Sequence, residues 1–177
     1  EATSAASGIA GLVRDADLEV RLEALVALRD LKNRDVIPAV MAALGDREPQ
    51  VRCAAAMTLS WLNAREASPR IAPLLADPDE SVRSAALDAL SYLRAKEAIP
   101  AFRRLLDDPT PAVRLKAVQA MSNLLGREAG ADVAKRLKDD DPAVRGAAAH
   151  ATALFQSEGA LDRIVPLLRD PVDTVRR

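Results

Sequence analysis

The sequence predicts an all-α protein, a right-handed α-solenoid of stacked antiparallel helix pairs. Three registers carry that reading. The dipeptide Val-Arg recurs at Val20-Arg21, Val51-Arg52, Val82-Arg83, Val113-Arg114, Val144-Arg145 and Val175-Arg176, always 31 residues apart. An Asp stands six residues before each Arg, at Asp15, Asp46, Asp77, Asp108, Asp139 and Asp170. An Ala follows three residues after the Arg of each complete repeat, at Ala24, Ala55, Ala86, Ala117 and Ala148. A fixed period of this length marks an array in which no unit can bury its apolar face alone.

The registers divide the chain into a partial repeat over 1–14, five full repeats over 15–169 and the start of a sixth over 170–177. Solenoids need polar caps at their ends. Neither end of this sequence reads as one, so the expectation is a single array cut from a longer one, with open ends available for self-association.

Each repeat contains two helical patterns. In the first, Val20, Ala24, Ala27, Leu28 and Leu31 follow the spacing of one helical face. We call this the Val-Arg helix. Acids and turn residues precede it, as in Asp77-Pro78-Asp79-Glu80 and Asp139-Asp140-Asp141-Pro142. Carboxylates at that place accept from the free N–H groups of the first turn and meet the positive end of the helix dipole. A short turn follows, such as Arg94-Ala95-Lys96-Glu97, and then a second helix with Pro38, Pro69 or Pro100 in its first turn. Proline suits that position because its missing N–H would have had no partner there. Ile99, Phe102, Leu105 and Leu106 form the apolar stripe of one such proline helix. Phe102 and Phe155 fall in core columns opposite Ile71 and Leu124, and read as packing residues. Ala2 to Val13 reads as a proline-type helix lacking its Pro, and Val172 to Arg177 as the start of a sixth Val-Arg helix.

Composition agrees with thin helical layers. About half of the residues are apolar, yet only four are aromatic. The net charge of −1 lacks the basic excess that phosphate binding demands, so no nucleic-acid partner is expected. No apolar run approaches the ~20 residues of a membrane span, and no leader pattern opens the chain, which makes a cytoplasmic location the default expectation. One cysteine and one histidine leave no metal site, and no cofactor is expected. The Asp139-Asp140-Asp141 run reads as a capping loop, and Arg34, Arg65, Lys96 and Arg127, each followed by an acid, as solvated turns.

The pattern Asp-x5-Val-Arg-x2-Ala-x2-Ala-Leu-x2-Leu followed by Ala-Ile-Pro resembles the HEAT repeat, more narrowly the short bacterial form of phycobilisome lyases. Repeat three matches best, with Val82-Arg83, Ala86, Ala89-Leu90, Leu93 and Ala98-Ile99-Pro100. Ala131 and Asp162 stand where repeats four and five should carry the proline, and Thr152 replaces a core Leu. The resemblance implies that Asp15, Asp46, Asp77, Asp108 and Asp139 form a hydrogen-bonded ladder with Arg21, Arg52, Arg83, Arg114 and Arg145. It also implies that the Val-Arg helices line a concave surface.

Function should sit where copies differ at exposed positions. Turning about 100° per residue from Val20, the columns of residues 22 and 26 face solvent and that of residue 30 lies on the flank. These columns hold the rare side chains Cys53, Met57, Trp61, Tyr92 and His150. The expected contact patch for a protein or peptide partner is Val26, Cys53, Met57, Trp61, Asp88 and Tyr92, extending to Gln119 and Asn123. Trp61 and Tyr92 have a second reading, as half-buried residues closing the seam between repeats. No Gly-rich phosphate loop or His-Glu-x-x-His motif is present. Cys53 and His150 lie three repeats apart, too far for a nucleophilic pair. The chain therefore reads as a non-catalytic interaction scaffold. Two alternatives stand beside that reading: a phycobilin lyase-like or chromophore-handling protein, by resemblance, and an engineered repeat protein, from the unbroken period.

Overall fold

The computed structural model describes residues 2–155 and 159–176, with the side chains of 2–5 left out. Among the described residues every regular element is helical, and the chain falls into two compact units, 1–95 and 96–177. The division lies inside repeat three, between its Val-Arg helix and its proline segment.

Unit one opens with α1 (Ala2–Leu12), followed by the Val-Arg helix α2 (Leu18–Leu31). Next come α3 (Ile37–Ala42), the Val-Arg helix α4 (Pro49–Trp61), α5 (Ser68–Ile71) and the Val-Arg helix α6 (Glu80–Tyr92). In unit two, α7 (Ile99–Leu105), α9 (Gly130–Ala134) and α11 (Ala160–Ile164) are the second-helix elements. They alternate with the Val-Arg helices α8 (Pro111–Leu125), α10 (Pro142–Phe155) and the short α12 (Asp173–Arg176).

The second helix of each repeat differs from the sequence expectation. In repeats one to four it is a composite: a 3-10 turn leads into a short α segment, and in most repeats a second 3-10 turn follows. In repeat two the α segment is only four residues, set between 3-10 turns at Arg65–Ala67 and Ala72–Ala76. Pro38, Pro69 and Pro100 do open the α segments. Pro73 then denies the following turn its own N–H, which favours the tighter hydrogen bonding seen there. Gly130 opens α9 where a proline was absent, and the segment forms all the same.

Packing follows the invariant columns. Ala24, Ala55 and Ala86 in unit one and Ala117 and Ala148 in unit two are all buried, as are Leu28, Leu59 and Leu90. An alanine at the point of closest approach lets neighbouring Val-Arg helices lie near the short end of the usual 8–10 Å spacing. Each leucine beside it contributes about 1.5–3 kcal/mol by leaving water. Thr152, the polar residue in the leucine column, is buried too, and its hydroxyl donates to Ala148 O at 2.7 Å. The irregular residue is thus satisfied within its own helix. Phe102 and Phe155 are both buried, as their columns predicted.

The three Val-Arg helices of unit one end alike, with Lys32, Asn63 and Arg94 at φ of 50°, 50° and 59°. In unit two the equivalent residue is Leu125, a poor fit for the left-handed region. There the helix continues one residue further and Gly126 makes the turn at φ 54°.

Candidate functional site

The loop before each Val-Arg helix is built by its Asp. One carboxylate oxygen accepts the backbone N–H two residues on: Asp46 from Glu48, Asp77 from Asp79, Asp139 from Asp141 and Asp170 from Val172, at 2.9–3.0 Å. Asp15 and Asp108 do the same with Asp17 and Thr110. A second acid often caps the helix itself, as Asp17, Asp79 and Asp141 do. That settles the Asp139-Asp140-Asp141 run as cap and turn. Among the described residues no group of His, Cys, Asp and Glu side chains is placed to hold a metal.

Arg21, Arg52, Arg114 and Arg145 each grip two loops. In unit one, Arg52 Nη1 donates to Asp46 O at 2.9 Å and Arg47 O at 3.1 Å, in its own repeat. Its Nε and Nη2 donate to the two oxygens of Asp77 in the next repeat, both at 2.8 Å. Arg21 likewise lies 3.0 Å from Asp46. Arg83 holds the carbonyls of Asp77 and Pro78. In unit two, Arg114 pairs with Asp139 at 2.7 and 2.9 Å, and Arg145 with Asp170 at 2.7 and 2.9 Å. These side chains are largely buried, so the stripe of arginines is consumed by packing and offers no anion site. Burial by itself pushes the Asp139 carboxyl up. The Arg114 hydrogen bonds and charge oppose this and hold it below the usual carboxylate range. Asp170 is held low chiefly by its hydrogen bonds to Arg145.

The variable columns are where side chains reach solvent. Every residue of the column of Val26 is exposed: Val26, Met57, Asp88, Gln119 and His150. The column of residue 30 is exposed throughout as well, with Trp61 at 65% and Tyr92 at 64%. That degree of exposure does not fit a residue closing a seam. Val26 and Met57, at 40% and 50% exposure, add apolar surface on the same set of helices. Val26, Met57, Trp61, Asp88 and Tyr92 all belong to unit one, on helices α2, α4 and α6, of which α4 packs against both others. Gln119 and Asn123 belong to α8 in unit two.

Cys53 needs correcting. It was expected to face solvent with Met57, but its column is half-buried throughout. The thiol lies 3.5 Å from Ser81 Oγ of the next repeat. Burial pushes the thiol above its ordinary value, and its contact with Ser81 offsets only part of that. A thiol held protonated is a poor nucleophile. Its reaction with a disulfide reagent at neutral pH should run about tenfold slower in the folded chain than in urea. Equal rates in the two conditions would contradict this placement.

Sequence reading also missed a contact. The Arg34 series was taken as solvated turns, yet Arg34 Nη1 donates to Leu62 O at 2.9 Å and Asn63 O at 3.2 Å, and Nη2 to Glu66 at 2.7 Å. It therefore ties the end of α4 to repeat one. Beside it, Arg29, Asp30, Lys32, Arg34, Trp61 and Leu62 line a groove of about 580 Å³. The acid at position 66 was the available signal, 32 residues from its partner.

Comparison with known proteins follows from this geometry. A family model of HEAT repeats matches residues 7–91 and 68–136. No curated protein matches the chain. Among solved structures, the complex of CpcE and CpcF of phycocyanin lyase from Nostoc sp. PCC7120 is similar at 25% identity and a TM-score of 0.74. The match covers 97% of this chain and 73% of that one. The Escherichia coli protein YibA is similar at 18% identity and a TM-score of 0.75, over 96% of this chain and 66% of that one. A designed armadillo repeat protein in complex with the peptide (KR)4 is similar at 18% identity and a TM-score of 0.65, over 96% and 94%. The last two likenesses speak to the fold alone. Among the described residues no helix is long and apolar enough to cross a membrane.

Proposed function

The chain belongs to the HEAT-repeat family, and from that premise we propose that it is a non-catalytic scaffold that holds a protein or peptide partner on the exposed faces of its Val-Arg helices. By family resemblance these faces are proposed to be the concave ones. One observation carries the reading: Trp61 and Tyr92 stand in the same column of consecutive helices and each leaves nearly two thirds of its surface in water. Aromatic residues and methionine are the types enriched at the centres of interfaces. Val26 and Met57, on the same faces, extend the apolar area, and Asp88 adds a polar rim. Gln119 and Asn123, exposed on α8 of unit two, are proposed as partner contacts of that unit. Cys53 drops to a supporting place because its thiol is engaged with Ser81.

The same thiol supports the non-catalytic part of the reading, since burial moves it away from reactivity. The CpcE–CpcF likeness favours a second reading, a lyase-like role in handling bilins. Incubation with a bilin and an apo-phycobiliprotein, followed by absorbance, distinguishes the two; a shift of the bilin band would support lyase-like handling.

The test of the scaffold reading is a pull-down with this chain and with the Trp61→Ala/Tyr92→Ala double variant. Because both side chains are exposed, the variant should melt within about 1 kcal/mol of the parent. A partner recovered by the parent should be lost, with affinity falling more than about 30-fold. Undiminished recovery by the double variant defeats the proposal.

A further inference from the structure

The near-zero net charge of the chain hides a segregation of charge in unit one. On α2, α4 and α6 the exposed charged residues are Glu19, Glu23, Asp30, Glu80 and Asp88, and no Lys or Arg on these helices is exposed. Arg21, Arg52 and Arg83 are turned into the loops that they bond. Arg29 is half-buried and donates to Asp30 at 2.9 Å. The exposed cations of unit one lie instead at the turns and second segments, at Arg14, Lys32, Arg34, Arg47, Arg65, Arg70 and Arg94. In unit two, α8 and α10 expose no carboxylate at all. Apart from Asp173 on the short α12, the exposed acids of the described Val-Arg helices thus lie in unit one, the unit whose Val-Arg faces expose Trp61 and Tyr92.

From this we infer that the face of unit one takes a basic segment with interspersed apolar side chains, a lysine- or arginine-rich peptide stretch of a partner protein. The inference rests on the scaffold reading and adds the chemistry of the partner to it. Glu19 and Glu23 lie one helical turn apart on α2, and Val26 follows on the same side. Neither carboxylate meets a cation among the described residues, so both have charge to offer. Apolar side chains of the bound segment rest on Met57, Trp61 and Tyr92, while its cations meet Glu19 and Glu23. The groove that Trp61 lines bounds the surface on one side; with Arg29 bonded to Asp30 and Arg34 to Glu66, Lys32 is the cation on its wall that repels the same segment. An acidic partner would meet the opposite arrangement, losing ground along the helices and gaining it only at that edge.

Trp61 is the single tryptophan, so its emission reports occupation of the face directly. The probe is a short synthetic peptide alternating lysine and leucine, compared with glutamate–leucine and lysine–serine counterparts, and labelled for anisotropy as a second readout. The lysine–leucine peptide should shift Trp61 emission, and its affinity should fall steeply as salt rises. Glu19→Gln/Glu23→Gln should weaken it about five- to tenfold at low salt. Asp140→Asn/Asp162→Asn removes the same charge elsewhere and should leave the affinity unchanged. The lysine–serine peptide should bind far more weakly, because it has nothing to set on the aromatic pair.

Equal or tighter binding of the glutamate–leucine peptide overturns the inference, as does no binding of the lysine–leucine peptide. Indifference of that peptide to the Glu19/Glu23 variant overturns it too. In any of these cases the double alanine variant still tells which reading failed. If partner recovery remains sensitive to Trp61 and Tyr92, the face stands and only its assigned charge preference falls. If recovery is insensitive, the scaffold site itself falls.

Discussion

Arg114→Ala is expected to lower stability by about 3 kcal/mol at pH 7, readable as a drop of roughly 10 °C in melting temperature. The substitution does more than remove a contact. It leaves the Asp139 carboxylate, only 3% exposed, without the two hydrogen bonds of 2.7 and 2.9 Å that offset its burial. It also frees the carbonyls of Asp108 and Pro109, which Arg114 holds at 2.9 and 3.2 Å. Arg136, 3.9 Å from Asp139, is too distant to replace the lost bonds but keeps the loss at the lower end of the range for broken buried pairs. The effect depends on pH in a definite direction. The Asp139 carboxyl sits below its unfolded value, so its contribution is full above about pH 4 and is lost as pH falls through the folded value. Denaturant melts at pH 7 and pH 3 should show the gap between parent and variant narrowing in acid. A gap of constant size would mean that the arginine acts through packing and carbonyl bonds alone.

Phe102→Ala should cost about 3–5 kcal/mol, the other large effect. Phe102 is fully buried and is the bulkiest of the fully buried side chains among the described residues. It sits on α7, a seven-residue helix with little hydrogen-bonded length to hold it in place once its anchor is gone. Phe102→Ile is the informative control, because Ile71 occupies the equivalent place on α5 and is equally buried. The isoleucine variant should lose no more than about half of what the alanine variant loses. Equal losses would show that the shape of the ring, and not apolar volume, holds the segment.

Much of this was legible in the sequence because a repeat states each rule several times over. One Val-Arg dipeptide predicts nothing; six at one interval placed the ladder residues, the buried alanines and the exposed columns of Val26 and Trp61. What stayed hidden were features that a column does not repeat. The composite second helices were read as plain α-helix, since 3-10 and α hydrogen bonding differ by one residue of offset and share the same apolar spacing. Arg34 was read as solvated because the acid beside it, Asp35, masked the partners that lie a repeat away. Cys53 was placed too far outward: a turn angle locates a side chain on its own helix, but not the Ser81 of a neighbour leaning over it. The segregation of acid and base in unit one was lost in a sum that came to −1.

The two grips of an arginine such as Arg52 also give the array a direction. Arg52 is bonded to the carbonyls of Asp46 and Arg47, five and six residues behind it, and to Asp77, 25 residues ahead. During synthesis the backward bonds can close as soon as the loop and the first turn of the helix exist, so the guanidinium is already aimed when its acceptor emerges. The reverse is not true, because a loop Asp has no cation until the repeat before it is in place. Each such repeat thus carries the docking point for the one that follows it in the chain.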